Sequence, residues 1–275
     1  MVPERLREWA YAPFIAMLRQ NMRHAGALRI DHVMALMRLY WVPPGTTAAE
    51  GAYVHYPVDD LLGILALESQ RNRCLVIGED LGTLPETLRE TLGPLGVLSY
   101  RILYFEHNES GEFIPPRQYP EQALVAITTH DLPTLAGFWL GHDLALRKQF
   151  NLFPTDQQRQ EQIVGRAQDR ARLLLALQRE GLLPEELNEE PLLVPEMTDA
   201  LMRAIHCFMA RTPARIMAFQ PEDVFGCVEQ NNLPGTVDEY PNWRRRLPVP
   251  IEAWSKDARF IELCEALRRE RPPAP

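Results

Sequence analysis

The sequence has 275 residues, is 46% hydrophobic and 24% charged, and carries a formal net charge of −8. That balance fits a globular chain with a core of substantial size, arranged as one large domain or two smaller ones. An acidic surface argues against a nucleic-acid phosphate backbone as partner and leaves a neutral or cationic small molecule as the expected ligand.

The four cysteines, Cys74, Cys207, Cys227 and Cys264, form no CxxC pair, so zinc-site and thioredoxin-like readings fall away. Cys74 opens an apolar run and reads as a buried free thiol. No run approaches the ~20 apolar residues of a membrane span, so no membrane partner is expected. No signal-peptide pattern heads the sequence, which makes the cytoplasm the expected compartment.

In chain order, "YAPFIAMLRQNMRHAG" (11–26) predicts a helix with Phe14, Ile15, Leu18 and Met22 on one face and Gly26 as its C-cap. "ALRID" follows as a short strand, and "MALMRLYWV" runs to a turn at Pro43, Pro44 and Gly45. "DDLLGILALESQRN" predicts an amphipathic helix leading into "CLVIGED", an apolar run of parallel-strand type. "LPETLRETLGPLG" predicts a helix with Pro85 and Glu86 in its first turn. "VLSYRILYFE", "ALVAITTHD" and "ARIMAFQPED" are the remaining strand candidates. Between the last two lie the helical stretch "DQQRQEQIVGRAQDRARLLLALQREG", an acidic proline-containing loop near Glu185 to Pro195, and the helix "EMTDALMRAIHCFMA". The C-terminal "DARFIELCEALRRERPPAP" predicts a helix with a frayed proline tail.

Strands alternating with helices imply a parallel sheet. Each strand candidate ends in polar groups: Arg29/Asp31, Glu79/Asp80, Glu106, His130/Asp131 and Gln220/Glu222. In α/β folds ligands bind beyond the C-terminal strand ends, and in a (β/α)8 barrel the reactive groups come from several strands. The predicted fold is therefore α/β of (β/α)8 type. Only about five strands are legible where a barrel has eight, and a helical insertion is expected at about 142–210. The sequence thus falls about three strands short of a complete barrel.

Asp31, Glu79 and Asp131 stand at three strand ends, each roughly fifty residues from the next. An unpaired buried charge is costly, so Asp31, with Arg29 and His32 around it, is expected either in a neutralised cluster or at a cleft. The repetition of strand-end charges favours the cleft. Glycoside chemistry uses two carboxyl groups flanking the scissile bond, one a nucleophile or base and one a proton donor. The donor needs surroundings that keep it protonated near neutral pH. A third acid can hold sugar hydroxyls as the oxocarbenium-like state forms.

The segments "GALRIDH", "EGAYVHYPVDDLLGILALES", "IGEDLG", "AITTHDLPT", "NLPGT" and "YPNWRRRL", in this order, resemble the amylomaltases, the 4-α-glucanotransferases of the α-amylase superfamily, of bacterial maltodextrin-metabolising type. The resemblance covers essentially the whole sequence, as the C-terminal portion of the family's catalytic barrel. It implies retaining transfer of α-1,4-glucan segments between maltodextrins, without a cofactor and without a metal. It implies Asp31 as nucleophile, Glu79 as general acid/base and Asp131 as transition-state stabiliser. Arg29 would orient Asp31 and hold it ionised, His130 would bind a sugar hydroxyl, and Asn232 would lie near the substrate. His32 reads equally as a strand-end hydrogen-bonder, and Asp80 as a partner of backbone or arginine.

The family's first barrel strands and acceptor-site aromatics are not represented. Little transferase activity is therefore expected of these 275 residues alone, and an uncovered strand edge is expected to favour self-association. Two rival readings remain open. One is a non-catalytic barrel fragment that binds glucan or associates with another chain. The other is a metal-dependent barrel enzyme using Asp31, Glu79, His130 and Asp131 as ligands.

Overall fold

The computed structural model describes residues 2–85, 87–187 and 194–272. The chain divides into two compact units, the first formed by Met1–Tyr100 with Gln122–Leu124, the second by Arg101–Glu121 with Val125–Pro275.

The first unit opens with helices α1 (Pro3–Glu8) and α2 (Ala12–Met22). The predicted helix at 11–26 is shorter at its end. Arg23 caps α2, and Gly26 is instead the residue from which β1 (Ala27–Ile30) starts, its carbonyl accepting the Leu75 N–H. Phe14, Leu18 and Met22 are buried, as their spacing requires. After a 3-10 turn at Val33–Leu36 come β2 (Arg38–Trp41) and β3 (Ala52–His55), an antiparallel pair apart from the main sheet. Sequence patterning left this hairpin unassigned.

Helix α3 (Val58–Asn72) then delivers the chain to β4 (Leu75–Gly78), and α4 (Leu88–Leu92) precedes β5 (Leu98–Ile102). Glu86, expected in the first turn of that helix, lies outside the described residues. Strand β1 pairs with β4 in parallel, Ala27 opposite Leu75 through Ile30 opposite Gly78, and β4 pairs with β5. Leu61, Leu62 and Leu65 of α3 join Phe14, Leu18, Met22, Val33, Val76 and Val97 in one core. Cys74 is buried in that core as a free thiol.

Strand β6 (Ala123–Ala126) begins in the first unit and ends in the second. The second unit continues with α5 (Leu135–Leu140), α6 (His142–Gln149), α7 (Asp156–Arg179) and α8 (Asp199–Ala210). It closes with β7 (Ile216–Met217), α9 (Pro221–Val224) and α10 (Ala258–Glu270). Among the described residues no strand intervenes between β6 and β7. Part of the acidic loop (residues 188–193) and the end of the proline tail (273–275) lie outside the described residues. Helix α8 packs on α10, and Arg211 grips Glu270 with two hydrogen bonds of 2.8 and 3.2 Å. Gly137 of α5 lies so close to the Val228 carbonyl that a Cβ would meet it at 2.4 Å. Helix and loop therefore touch backbone to backbone there.

The main sheet has the order β1-β4-β5-β6-β7. It is the parallel five-stranded part of a (β/α)8-type barrel with its helices. Strands are shorter than the apolar runs that announced them. β6 stops at Ala126 and β7 spans two residues, so Glu106, His130 and Asp131 stand on loops beyond their strands.

Candidate active site

In the first unit the ladder sets the geometry. Ile30 pairs with Gly78, so the residues that follow, Asp31 and Glu79, leave two adjacent strands at the same level. The ladder extends one step further, with the Glu79 N–H donating to the Ile30 carbonyl at 2.9 Å. His32 then adopts a left-handed backbone (φ +44°), which folds the chain over the end of β4. In that position its N–H donates to Glu79 Oε2 at 2.9 Å, while the Leu81 N–H donates to Oε1 at 2.7 Å. Both carboxylate oxygens of Glu79 are thus fixed by backbone. Val33 lies under this turn, and a Cβ on Gly78 would approach its methyls to 3.1 Å. A glycine there allows the turn to sit close against β4.

One carboxylate oxygen of Asp31, one ring nitrogen of His32 and one carboxylate oxygen of Glu79 lie within 4.8 Å of one another. Glu79 is 4% exposed, whereas the Asp31 side chain is 60% exposed. The sheltered acid and the open one are therefore distinct in surroundings although close in space. Arg29 donates to Asp31 Oδ1 at 2.8 Å and stands over the Tyr100 ring, 5.4 Å from its centroid. Burial pushes the Tyr100 phenol up, so it stays neutral beside the guanidinium. Asp80 is spoken for: Arg89 reaches Oδ2 at 2.7 Å and the Tyr100 N–H reaches Oδ1 at 2.8 Å. It supports the site and is not presented to a ligand.

The trio Asp31, His32 and Glu79 has the donor atoms of a metal site. The Arg29 guanidinium takes one Asp31 oxygen, and backbone N–H groups donate to both Glu79 oxygens, so a cation there would share those oxygens with hydrogen-bond donors.

In the second unit, His130, Asp131 and Asn232 form one polar group. Asn232 Nδ2 donates to Asp131 Oδ1 at 2.6 Å, its N–H donates to the His130 carbonyl at 3.2 Å, and His130 Nε2 lies 3.3 Å from Asp131 Oδ2. The loop that carries them is shaped by its threonines. Thr128 Oγ1 donates to the Pro133 carbonyl at 2.8 Å, Thr129 Oγ1 accepts the Asp131 N–H, and Thr134 caps α5 while donating to the Cys227 carbonyl. Side-chain hydroxyls competing for backbone groups take the "TTHDLPT" segment out of the strand. Glu106, also at a predicted strand end, is paired with Arg101 at 3.4 Å.

Sequence patterning did not single out Trp243, whose ring centroid lies 5.1 Å from that of His130. Its signal was its place in "YPNWRRRL", 111 positions after Leu132 by subtraction and so invisible to local periodicity. A cleft of about 680 Å³ in the same unit is lined by Glu222, Cys227, Glu229, Asn231 and Arg244 among others. Asp131, His130 and Asn232 do not line it, so the polar group above does not depend on that cleft.

The parallel strands with their helices define the class: a partial α/β barrel of (β/α)8 type, with two carboxylates side by side at neighbouring strand ends. The particular family follows from comparison with known proteins. The family described as 4-alpha-glucanotransferase matches residues 1–251, and the chain belongs to it. A 4-alpha-glucanotransferase of Haemophilus influenzae is 44% identical over 268 residues, covering 97% of this chain and 37% of that protein. One of Mycobacterium bovis is 39% identical over 276 residues, with the same coverage of 97% and 37%. In structure, the chain is similar to amylomaltase from Corynebacterium glutamicum, with a TM-score of 0.88 and 33% identity over 97% of this chain and 39% of the other. Amylomaltase from Streptococcus agalactiae, solved with acarbose, shares the fold at 18% identity and a TM-score of 0.70, over 98% of this chain and 46% of the other. The chain spans little more than a third of the length of the curated relatives it matches.

Proposed function

We propose that the chain carries the reacting groups of a 4-α-glucanotransferase that moves α-1,4-glucan segments between maltodextrins with retention. Asp31 attacks the anomeric carbon and forms a glycosyl-enzyme ester, while Glu79 protonates the departing glucan oxygen. Glu79 then takes the proton from the 4-hydroxyl of an incoming glucan, which displaces Asp31. Arg29 orients Asp31. Asp131 grips sugar hydroxyls as positive charge develops on the ring, with His130 and Asn232 as further hydrogen-bonding partners. No cofactor enters the cycle.

The observation that carries this reading is the separation of the two carboxylates. One oxygen of each carboxylate lies within 4.8 Å of the other, which is compatible with the ~5–5.5 Å carboxyl separation of retaining enzymes and shorter than the ~6.5–9.5 Å of inverting ones. All four cysteines are free thiols, which supports a reducing compartment such as the cytoplasm. No helix among the described residues is long and apolar enough to cross a membrane.

The test is to trap the ester. A 5-fluoro-α-glucosyl fluoride donor offered to the Glu79→Gln variant should leave a glucosyl adduct on Asp31, read by peptide mass spectrometry. An adduct on another carboxylate would refute the assignment. A second reading, a glucan-binding chain that associates through the edge of β1 or β7, draws on the sheet order, which leaves those strands outermost. Sedimentation analysis across a concentration series separates the two.

A further inference from the structure

Trp243 combines two unfavourable features. Its backbone is left-handed (φ +61°), a region that a bulky residue rarely enters, and its side chain is 65% exposed. Neither is relieved by burial within the chain. The surrounding loop nevertheless determines the conformation closely. The Trp243 N–H donates to the Asn231 carbonyl at 2.9 Å. The neighbouring Asn242 accepts the Leu233 N–H at 2.8 Å and donates to Thr236 Oγ1 at 2.9 Å. Tyr240, buried, donates to the Gln230 carbonyl at 2.7 Å, and Gln230 in turn donates to the Asn232 carbonyl at 2.6 Å.

These bonds fix the ring relative to particular atoms. Asn231 holds the Trp243 backbone, and the next residue, Asn232, holds Asp131 through its side chain and His130 through its N–H. The indole therefore keeps register with the Asp131–His130–Asn232 group and lies against the His130 ring at 44° between planes. An exposed aromatic face thus lies beside a cluster of polar hydrogen-bonding groups. A pyranose ring is complementary to that combination, since it has equatorial hydroxyls at its rim and an apolar C–H face. Aromatic rings with one face wet and one contact apolar are suited to such a partner.

We propose that Trp243 is the stacking platform for the glucosyl unit whose hydroxyls Asp131, His130 and Asn232 bind. This rests on the glucan reading above and adds to it a specificity-determining residue. The left-handed backbone is retained because it points the ring at the sugar. A ligand lacking the flat C–H face is rejected there whatever its hydroxyl pattern.

The test uses the 275-residue chain and maltoheptaose, with calorimetry for affinity and tryptophan fluorescence for contact. Trp243→Gly removes the ring and relaxes the backbone, because glycine adopts positive φ freely. Affinity should fall about tenfold, the scale of one well-placed ring contact, with the thermal midpoint unchanged or raised. Trp243→Phe should keep affinity within a few-fold and abolish the saturable fluorescence change seen with the unaltered chain. Trp243→Gly binding as tightly as the unaltered chain overturns the platform and leaves the glucan reading standing. A fluorescence change that persists in Trp243→Phe also overturns it, even if Trp243→Gly fails to fold. Absence of any saturable maltoheptaose binding by the unaltered chain overturns the glucan reading and the platform with it.

Discussion

Asp31 and Glu79 differ in what a conservative amide substitution would remove. Asp31→Asn deletes the proposed nucleophile, so transfer in the whole enzyme should be abolished with every donor. Glu79→Gln deletes the proposed proton donor and should cost about 10²–10⁴-fold with maltodextrin donors. With α-glucosyl fluoride, whose leaving group needs no proton, the first step should be spared. Stopped-flow release of fluoride reads that step directly, and equal losses with both donors would remove Glu79 from its role. A second residue-scale expectation concerns Asp223. Burial pushes its carboxyl up to about 7 from 3.8, with Glu222 adding to the shift, and its Oδ2 has no hydrogen-bond partner while Oδ1 accepts the Leu135 N–H. The native state therefore keeps a proton that the unfolded chain gives up near pH 4. The stabilisation is complete below that pH and is lost as pH rises through 7. Between pH 5 and 8 the chain should lose about 2–3 kcal/mol of unfolding free energy that Asp223→Asn retains. Urea titrations at the two pH values decide it, and parallel profiles for both proteins would contradict it. Asp31, Glu79 and Asp131 were legible because an acid after an apolar run is conspicuous. Trp243 and Asp223 were not, since a positive φ and a buried unpartnered oxygen are properties of tertiary structure.

At the scale of elements, α2 and α3 are joined by one buried acid. Glu68, 1% exposed, takes two hydrogen bonds from Arg19 of α2 at 2.9 and 2.7 Å and one from Arg71 at 3.0 Å. The Arg19 guanidinium holds the Glu68 carboxyl down to about 2, against the desolvation that opposes it, with Arg71 assisting. A depressed native pKa stabilises above the unfolded value of 4.5 and loses that stabilisation as pH falls toward 2. Glu68→Gln should destabilise the first unit by about 1–3 kcal/mol at pH 7, a modest range because both arginines are half open to water. The difference should shrink by pH 2.5, and denaturation monitored by amide exchange in α2 and α3 would show it. The periodicity of both helices was plain in the sequence, but the tie between them required Arg19 and Glu68, 49 positions apart, to be seen together. The β2–β3 hairpin was missed for a different reason. Leu39, Tyr40, Trp41 and Tyr53 are all exposed, so its strands lack the apolar-in, polar-out alternation by which a half-buried strand is recognised. The end of β6 was overextended because Thr128 and Thr129 read as β-formers while their hydroxyls bind loop backbone.

For the whole molecule, sequence reasoning reached the five parallel strands because each follows or contains an apolar run, and it reached the family through the order of segments such as "RIDH", "GEDLG" and "THDLPT". Activity depends on more than those features. In the proposed reaction Asp31 and Glu79 supply covalent and proton-transfer chemistry, but rate also depends on holding donor and acceptor glucans in register, which is worth ~7–11 kcal/mol where it is complete. The relatives carry nearly two thirds of their length outside the region matched by this chain, and the proposed reading assigns part of the glucan groove to that length. The 275-residue chain should therefore disproportionate maltotriose weakly or not at all, while still binding maltoheptaose through the groups it possesses. Chromatography for glucose and maltopentaose after prolonged incubation measures the first property, and calorimetry the second. A strand left outermost in the sheet offers unpaired N–H and C=O groups to another chain, so the oligomeric state must be measured on the same sample. Robust disproportionation by a demonstrated monomer would overturn the expectation and would mean that the strand-end groups of this chain position both glucans without help.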